Sequence, residues 1–247
     1  MTAESLEIIA HRGYSALAPE NTLAAMERAI AAGTDAVEWD VHVSADGVPV
    51  LFHDEDLPRT SDGVGLLRDH GYERLRALDV GRWFGPAFAG ERISSLADAL
   101  AHVKGRVARV YTEVKGWRDD ADLDRILADV RAADVPGHVF ISLEWSSLAH
   151  IGRADPRAVI GYIVETHARF DEALERATGD PRALLDLDRR LILERPELAH
   201  RALERGIPLA VWTVNDPAEA ERLRAAGVTR FTTDRVETLL AWRDASH

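Results

Sequence analysis

The rhythm of the chain constrains it most. Short apolar runs alternate with longer segments whose apolar residues recur at helical spacing, from Leu6 to Arg243. Residues 6–10, 36–43, 48–52, 109–113, 139–142, 159–164, 184–187, 208–214 and 230–232 read as strands. Helical patterns cover 22–32 (stopped by Gly33), a segment capped by Ser94 or Ser95 and reaching about His102, 119–133, a stretch from near Ser146, 196–205, 217–226 and 236–243. Ala45-Asp46-Gly47 forms a turn between two of the strands. This alternation implies a parallel sheet covered by helices. About eight strands within 247 residues match a closed (β/α)8 TIM-type barrel, a fold of roughly 250 residues, so 1–247 is expected to be one domain. A doubly wound open sheet is the competing architecture. No Gly-x-Gly-x-x-Gly follows any of the runs, which counts against it. The rhythm breaks once, at about 54–92, where Gly, Arg and Asp are frequent. That stretch is expected to be an insertion after the third strand segment, leaning over one end of the barrel.

Charge and composition exclude several functions. The formal net charge is −12, which argues against a nucleic-acid partner and against docking on anionic membranes. The chain has no cysteine, so disulfides, zinc–thiolate sites and thiol nucleophiles are excluded. Its start shows neither a basic n-region nor a long apolar h-region, and no apolar run is long enough to span a bilayer. A cytoplasmic protein without stable membrane insertion is expected; the sequence leaves the oligomeric state open.

Chemistry gathers at four strand ends. Ala-His-Arg-Gly brings His11, Arg12 and Gly13; Val-Glu-Trp-Asp brings Glu38 and Asp40; Leu-Phe-His-Asp brings His53 and Asp54; Thr-Glu-Val-Lys brings Glu113 and Lys115. Residues i and i+2 of a strand share a face, so Glu38 projects with Asp40, and Glu113 with Lys115. Three carboxylates converging beside one lysine would cost several kcal/mol if unpaired, on the order of what buried charges lose. One hard divalent cation offsets that cost, and oxygen ligands select Mg²⁺ or Ca²⁺ over zinc. Two histidines titrating near neutrality suit general acid–base work. Arg12 offers a planar fork for two phosphate oxygens, and Lys115 a point charge for a developing oxyanion. The competing assignments are plain: a solvated Glu-x-Asp pair, histidines serving structure, and Arg12 in a surface ion pair. The matched strand ends weigh against them.

At these residues the chain resembles the glycerophosphodiester phosphodiesterase family. The resemblance runs through AHRGYSALAPENT at 10–22, AVEWDVHVSADGVPVLFHDEDLPRTSDGVG at 36–65, TEVKG at 112–116 and VWTVND at 211–216. It implies a TIM-type barrel that hydrolyses a small-molecule glycerophosphodiester to glycerol 3-phosphate and an alcohol. It also implies Glu38, Asp40 and Glu113 as metal ligands, His11 and His53 as the acid–base pair, Arg12 and Lys115 as phosphate contacts, and Trp212 as the aromatic of the mouth. Glu20 and Asn21 match a supporting pair behind the first loop, against an alternative in which they cap the helix from Thr22. Two departures stand out. Thr233-Asp234 is followed by Arg235-Val236 where the family often has Thr-Asp-x-Pro, and Pro58-Arg59-Thr60-Ser61 replaces an Asp-Arg-Thr-Thr pattern.

Rival activities fit less well. A lipid-directed phosphodiesterase of the lysophospholipase D or sphingomyelinase D kind shares the barrel, and Trp83 and Trp117 are aromatics that would touch lipid. A metal-dependent amidohydrolase needs His-x-His on its first strand, where this chain has His-Arg-Gly. A glycosidase sets two carboxylates across a sugar rather than side by side. A catalytically silent barrel that binds phosphorylated ligands would not need the full set of acids and histidines.

Overall fold

The computed structural model describes residues 6–245. Nine strands form one sheet: β1 Glu7–Ala10, β2 Ala36–Val43, β3 Pro49–Leu51, β4 Arg109–Gly116, β5 His138–Ser142, β6 Val159–Val164, β7 Ala183–Asp188, β8 Leu209–Trp212 and β9 Arg230–Thr233. Eight of them pair in parallel in the order β1-β9-β8-β7-β6-β5-β4-β2, and β1 pairs back onto β2, which closes the barrel. The ninth, β3, runs antiparallel to β2 and sits outside the ring.

Helices follow the strands as the alternation requires: α1 Leu23–Ala32, α2 Tyr72–Leu75, α3 Leu96–Val103, α4 Asp120–Ala133, α5 Trp145–Ala154, α6 His167–Thr178, α7 Arg189–Glu194, α8 Glu197–Leu203, α9 Pro217–Ala225 and α10 Val236–Ala245. Local chemistry sets their ends. Thr22 Oγ1 accepts from the Ala25 amide at 3.1 Å, and Gly33 takes the left-handed conformation (φ 85°) that stops α1. Ser95 caps α3 and Asp119 caps α4 in the same way. No described helix is long and apolar enough to cross a membrane.

Two concentric apolar layers hold the barrel together. Outward side chains such as Ile8, Trp39, Val41, Leu185 and Phe231 pack under the helices. Inward ones, including Ile9, Val139, Ile163, Leu184 and Ala210, fill the axis. The N-terminal end of the axis is closed by charge: Glu7 accepts from Arg109 Nη1 at 2.5 Å and from the Tyr111 hydroxyl at 3.3 Å, with Arg230 Nε 3.5 Å away. The opposite, C-terminal end is left for chemistry, as in barrels of this type.

The expected insertion is present between β3 and α3. It contains α2, two short 3₁₀ turns (Leu67–Asp69 and Pro86–Phe88) and its own apolar cluster, in which Phe52, Leu57, Leu67, Leu75, Leu78 and Ile93 are buried. The strand read at 48–52 is present as β3, and the turn read at Ala45-Asp46-Gly47 folds it back onto β2, outside the ring. Helices α6 and α7 were not anticipated, although Phe170, Ala173, Leu174 and Ala177 bury one face of α6.

Candidate active site

The mouth is organised by the loop between β1 and α1. Arg12 (φ 55°), Gly13 (φ 79°) and Asn21 (φ 58°) all occupy left-handed backbone conformations. A Cβ on Gly13 would lie 2.6 Å from the Ala25 carbonyl carbon, so the loop can pass α1 only as glycine. This turn points the Arg12 amide at Glu38 Oε2 (2.9 Å), while the Arg12 carbonyl accepts from the Asn21 amide (3.1 Å). The Arg12 guanidinium reaches Glu20 Oε1 with Nη1 (2.9 Å) and stands 3.0 Å from Asp40 Oδ2 with Nε. Asn21 Nδ2 donates to Asp40 Oδ2 at 2.8 Å, and Asn21 Oδ1 accepts from the Asp40 amide at 3.1 Å. Thr22 is therefore the helix cap, and Glu20 and Asn21 turn their side chains to the site.

The three acids meet as expected. One oxygen each from Glu38, Asp40 and Glu113 lies within 4.8 Å of the others. Register explains it: Asp40 of β2 pairs with Glu113 of β4, and Glu38 is one inward position below. Lys115 Nζ sits 2.9 Å from Glu113 Oε1 and 3.6 Å from Asp40 Oδ1. Their proton affinities diverge. Burial, with Asp40 and Glu113 adding repulsion, pushes Glu38 well above the ordinary carboxylate range. Burial and Asp40 push Glu113 up to about 8, with Lys115 opposing. Burial also acts to raise Asp40, but Arg12 and Lys115 outweigh it and hold Asp40 far below the usual range. A buried cluster in which two of three carboxyls are pushed toward their protonated forms is short of positive charge. Asp40 Oδ1 is buried without a hydrogen-bond partner among the described residues. An all-oxygen donor set with an unsatisfied member fits a hard divalent cation.

Both histidines line the same cavity of about 100 Å³ with Arg12, Glu38, Glu113 and Lys115. They reach it by different routes. His11 follows β1 directly. His53 returns to the mouth on the hairpin that carries β3, where the Phe52 amide bonds the Asp40 carbonyl (3.0 Å) and His42 Nε2 lies 3.0 Å from the His53 carbonyl. Each imidazole has a carboxylate behind it. His11 Nδ1 lies 2.7 Å from Asp234 Oδ1, and His53 Nδ1 2.5 Å from Asp54 Oδ1. That assigns the Nδ1–H tautomer to both rings and leaves Nε2 free. Burial would raise Asp234, but hydrogen bonds from His11, Asn215 and Ser15 hold it far below its usual value. Burial lowers His53 below the ordinary 6.5, against the pull of Asp40.

Two supports were missed in the sequence. Asn215 Nδ2 donates to Asp234 Oδ2 at 2.7 Å, and Asn215 Oδ1 accepts from the Asp234 amide at 2.9 Å, so the loop after β8 fixes the carboxylate behind His11. Arg59 of the insertion grips Glu20 (2.7 and 2.9 Å) and Asp54 (2.5 and 3.1 Å), linking Arg12 to His53 through Glu20, Arg59 and Asp54. Trp212 lines the cavity wall, its Nε1 3.4 Å from the Asp186 carbonyl oxygen.

The model of the glycerophosphoryl diester phosphodiesterase family matches residues 11–238. A glycerophosphodiester phosphodiesterase of Caldanaerobacter subterraneus subsp. tengcongensis is 32% identical over 237 residues, covering 94% of this chain and 96% of that protein. Among solved structures, a phosphodiesterase of Oleispira antarctica in complex with its product sn-glycerol-3-phosphate superposes with a TM-score of 0.90 at 28% identity, with 96% of each chain covered. A glycerophosphodiester phosphodiesterase of Thermotoga maritima gives 0.79 at 26%, covering 96% of this chain and 98% of that one. The barrel, the acids and histidines at its mouth and a match along almost the whole chain lead to one assignment: this chain belongs to the glycerophosphoryl diester phosphodiesterase family.

Proposed function

We propose that this protein hydrolyses glycerophosphodiesters to glycerol 3-phosphate and an alcohol, with Glu38, Asp40 and Glu113 holding one Mg²⁺ or Ca²⁺. The observation that carries this reading is the meeting of those three carboxylates in the cavity lined by His11 and His53. When bound, the cation supplies Lewis-acid polarisation of the phosphoryl oxygens and eases deprotonation of the attacking nucleophile.

The chain's own groups do the rest. Arg12 and Lys115 present guanidinium and ammonium charge to the phosphate and to the negative charge that grows on phosphorus. His11 and His53 exchange protons through Nε2, one taking a proton from the attacking nucleophile, either water or a neighbouring glycerol hydroxyl whose cyclic ester water then opens, and the other giving one to the leaving alkoxide. Asp234 and Asp54 fix the rings for that exchange, the role the third member plays in a catalytic triad. The Trp212 indole and the Ile141 and Leu143 side chains exclude water from one wall.

Hydrolysis of glycerophosphocholine by the purified protein tests the reading. Activity is expected to vanish with EDTA and return with added Mg²⁺ or Ca²⁺. His11→Ala and His53→Ala should each lower kcat by a factor on the order of 10² to 10⁴. EDTA-resistant turnover, or a histidine variant with unchanged kcat, contradicts the corresponding part of the scheme.

A further inference from the structure

Opposite the catalytic acids, the cavity wall carries one carboxyl that the proposed chemistry leaves idle. Asp186 is the inward residue of β7, paired in register with Ile163 of β6 and Ala210 of β8. It is 3% exposed, and its Oδ1 has no hydrogen-bond partner among the described residues. Its register partners Ile163 and Ala210 are apolar, as are Ile141 and Trp212 of the same cavity, which Glu165 and Thr232 also line, and Tyr111 lies within electrostatic reach. Burial, with no charge to counter it, raises this carboxyl to about 7. An isolated acid in apolar surroundings costs stability unless something binds it. Among the described residues no cation does so here, in contrast to the acids of the opposite wall. In its protonated form, which this shift makes accessible near neutral pH, such a carboxyl both donates and accepts a hydrogen bond. Neutral hydroxyls have that same pair of functions.

Two cavities share Lys115. The smaller, about 100 Å³, lies over the barrel axis and contains Asp186. The larger, about 230 Å³, opens beyond Lys115 between β2, the insertion and the loop after β4, and is lined by Glu55, Arg68, Trp117 and Glu144. A diester whose phosphate sits at Lys115 has room for its variable alcohol in the larger space. The smaller space suits the part that stays constant. We propose that Asp186 reads a hydroxyl of the substrate's glycerol, so that the glycerol lies over the barrel axis and the leaving alcohol lies beyond Lys115. This rests on the glycerophosphodiester reading above and extends it to orientation and selectivity.

Calorimetric binding tests this, with glycerol 3-phosphate compared against 1-propyl phosphate, which keeps the carbon chain and lacks both hydroxyls. The wild-type protein, with Mg²⁺ present, is expected to prefer glycerol 3-phosphate by roughly tenfold, the equivalent of about 1.4 kcal/mol. Asp186→Leu should abolish the preference while its thermal midpoint stays at or above that of the wild type, since an unpaired buried carboxyl has been removed. Asp186→Asn, which still donates and accepts, should retain most of the preference. A preference that survives Asp186→Leu overturns the proposal, and so does a wild-type protein that binds both phosphates equally. Turnover of glycerophosphocholine by the wild type shows separately whether the activity itself stands.

Discussion

At the scale of single residues, the acid cluster sets up a proton account that can be measured. Glu113 sits near 8 and Glu38 is raised as well, both by burial first and by neighbouring carboxylates second. At pH 7 the cluster without a cation therefore holds protons that its ligand form must lose. Cation binding should release roughly one proton at pH 7 and progressively less above pH 8, and affinity should fall as the pH falls. Titration with Mg²⁺ or Ca²⁺ in buffers of low and high ionisation enthalpy reads this directly. Heats that do not depend on the buffer at pH 7 would show that the carboxyls are already ionised. The ligand residues were legible because i and i+2 on an apolar strand can only share a face. Asp234 was not: it stands 223 positions from His11, and only ring closure through β1 and β9 brings the two together. Asp186 was hidden differently. In Ala-Leu-Leu-Asp-Leu-Asp, alternation puts Asp186 and Asp188 on one face, and nothing local tells a cavity wall from the cap that Asp188 provides for α7.

At the scale of elements, the insertion reaches the chemistry through one side chain. Arg59 spans Glu20 behind the first loop and Asp54 behind His53, using both ends of its guanidinium. Arg59→Ala should lower kcat by roughly 10- to 100-fold, as loss of an outer support for a site residue does, with KM changing little. Arg59→Lys should not rescue it, because an ammonium cannot bridge two carboxylates with a planar fork. An Arg59→Ala enzyme with wild-type kcat would leave the network without a catalytic role. The longer strands of the ring were easily read from the sequence, since runs buried on both faces are mostly apolar apart from the site residues. Residues 36–43 and 159–164 fold as the pattern indicates. The direction of β3 was not readable from its own composition. Its antiparallel course depends on a tight turn whose Ser44 and Asp46 side chains bond each other at 2.6 Å, and Asp46 also accepts from the Tyr72 amide at 2.9 Å. Helix α6 was overlooked because its exposed face is dense in charge, which masks the spacing of Phe170, Ala173, Leu174 and Ala177.

At the scale of the whole molecule, the site works against the barrel that carries it. The barrel is closed by apolar packing on both faces, yet β2 and β4 bring three acids into one small volume at its mouth. For Glu38 and Glu113 the folded proton affinity exceeds the unfolded one. The folded state then binds more protons between the unfolded value near 4.5 and the folded values, so their contribution to stability declines as pH rises through that window. A protein stripped of divalent cations should therefore melt at a lower temperature at pH 8.5 than at pH 6. A cation that takes the place of those protons reverses the trend. At a concentration of about 100 times Kd it adds about 2.7 kcal/mol, which for a chain of this length raises the melting temperature by roughly 5–10 °C. The increment should be larger at pH 8.5 than at pH 6, where protons compete for the same oxygens. Asp40→Ala should lose the cation-dependent increment at both. Melting curves with EDTA and with saturating Mg²⁺ or Ca²⁺ at the two pH values decide the matter. An increment that Asp40→Ala retains would mean that the stabilising cation sits elsewhere, and the barrel mouth would then have to tolerate its three acids by protonation alone.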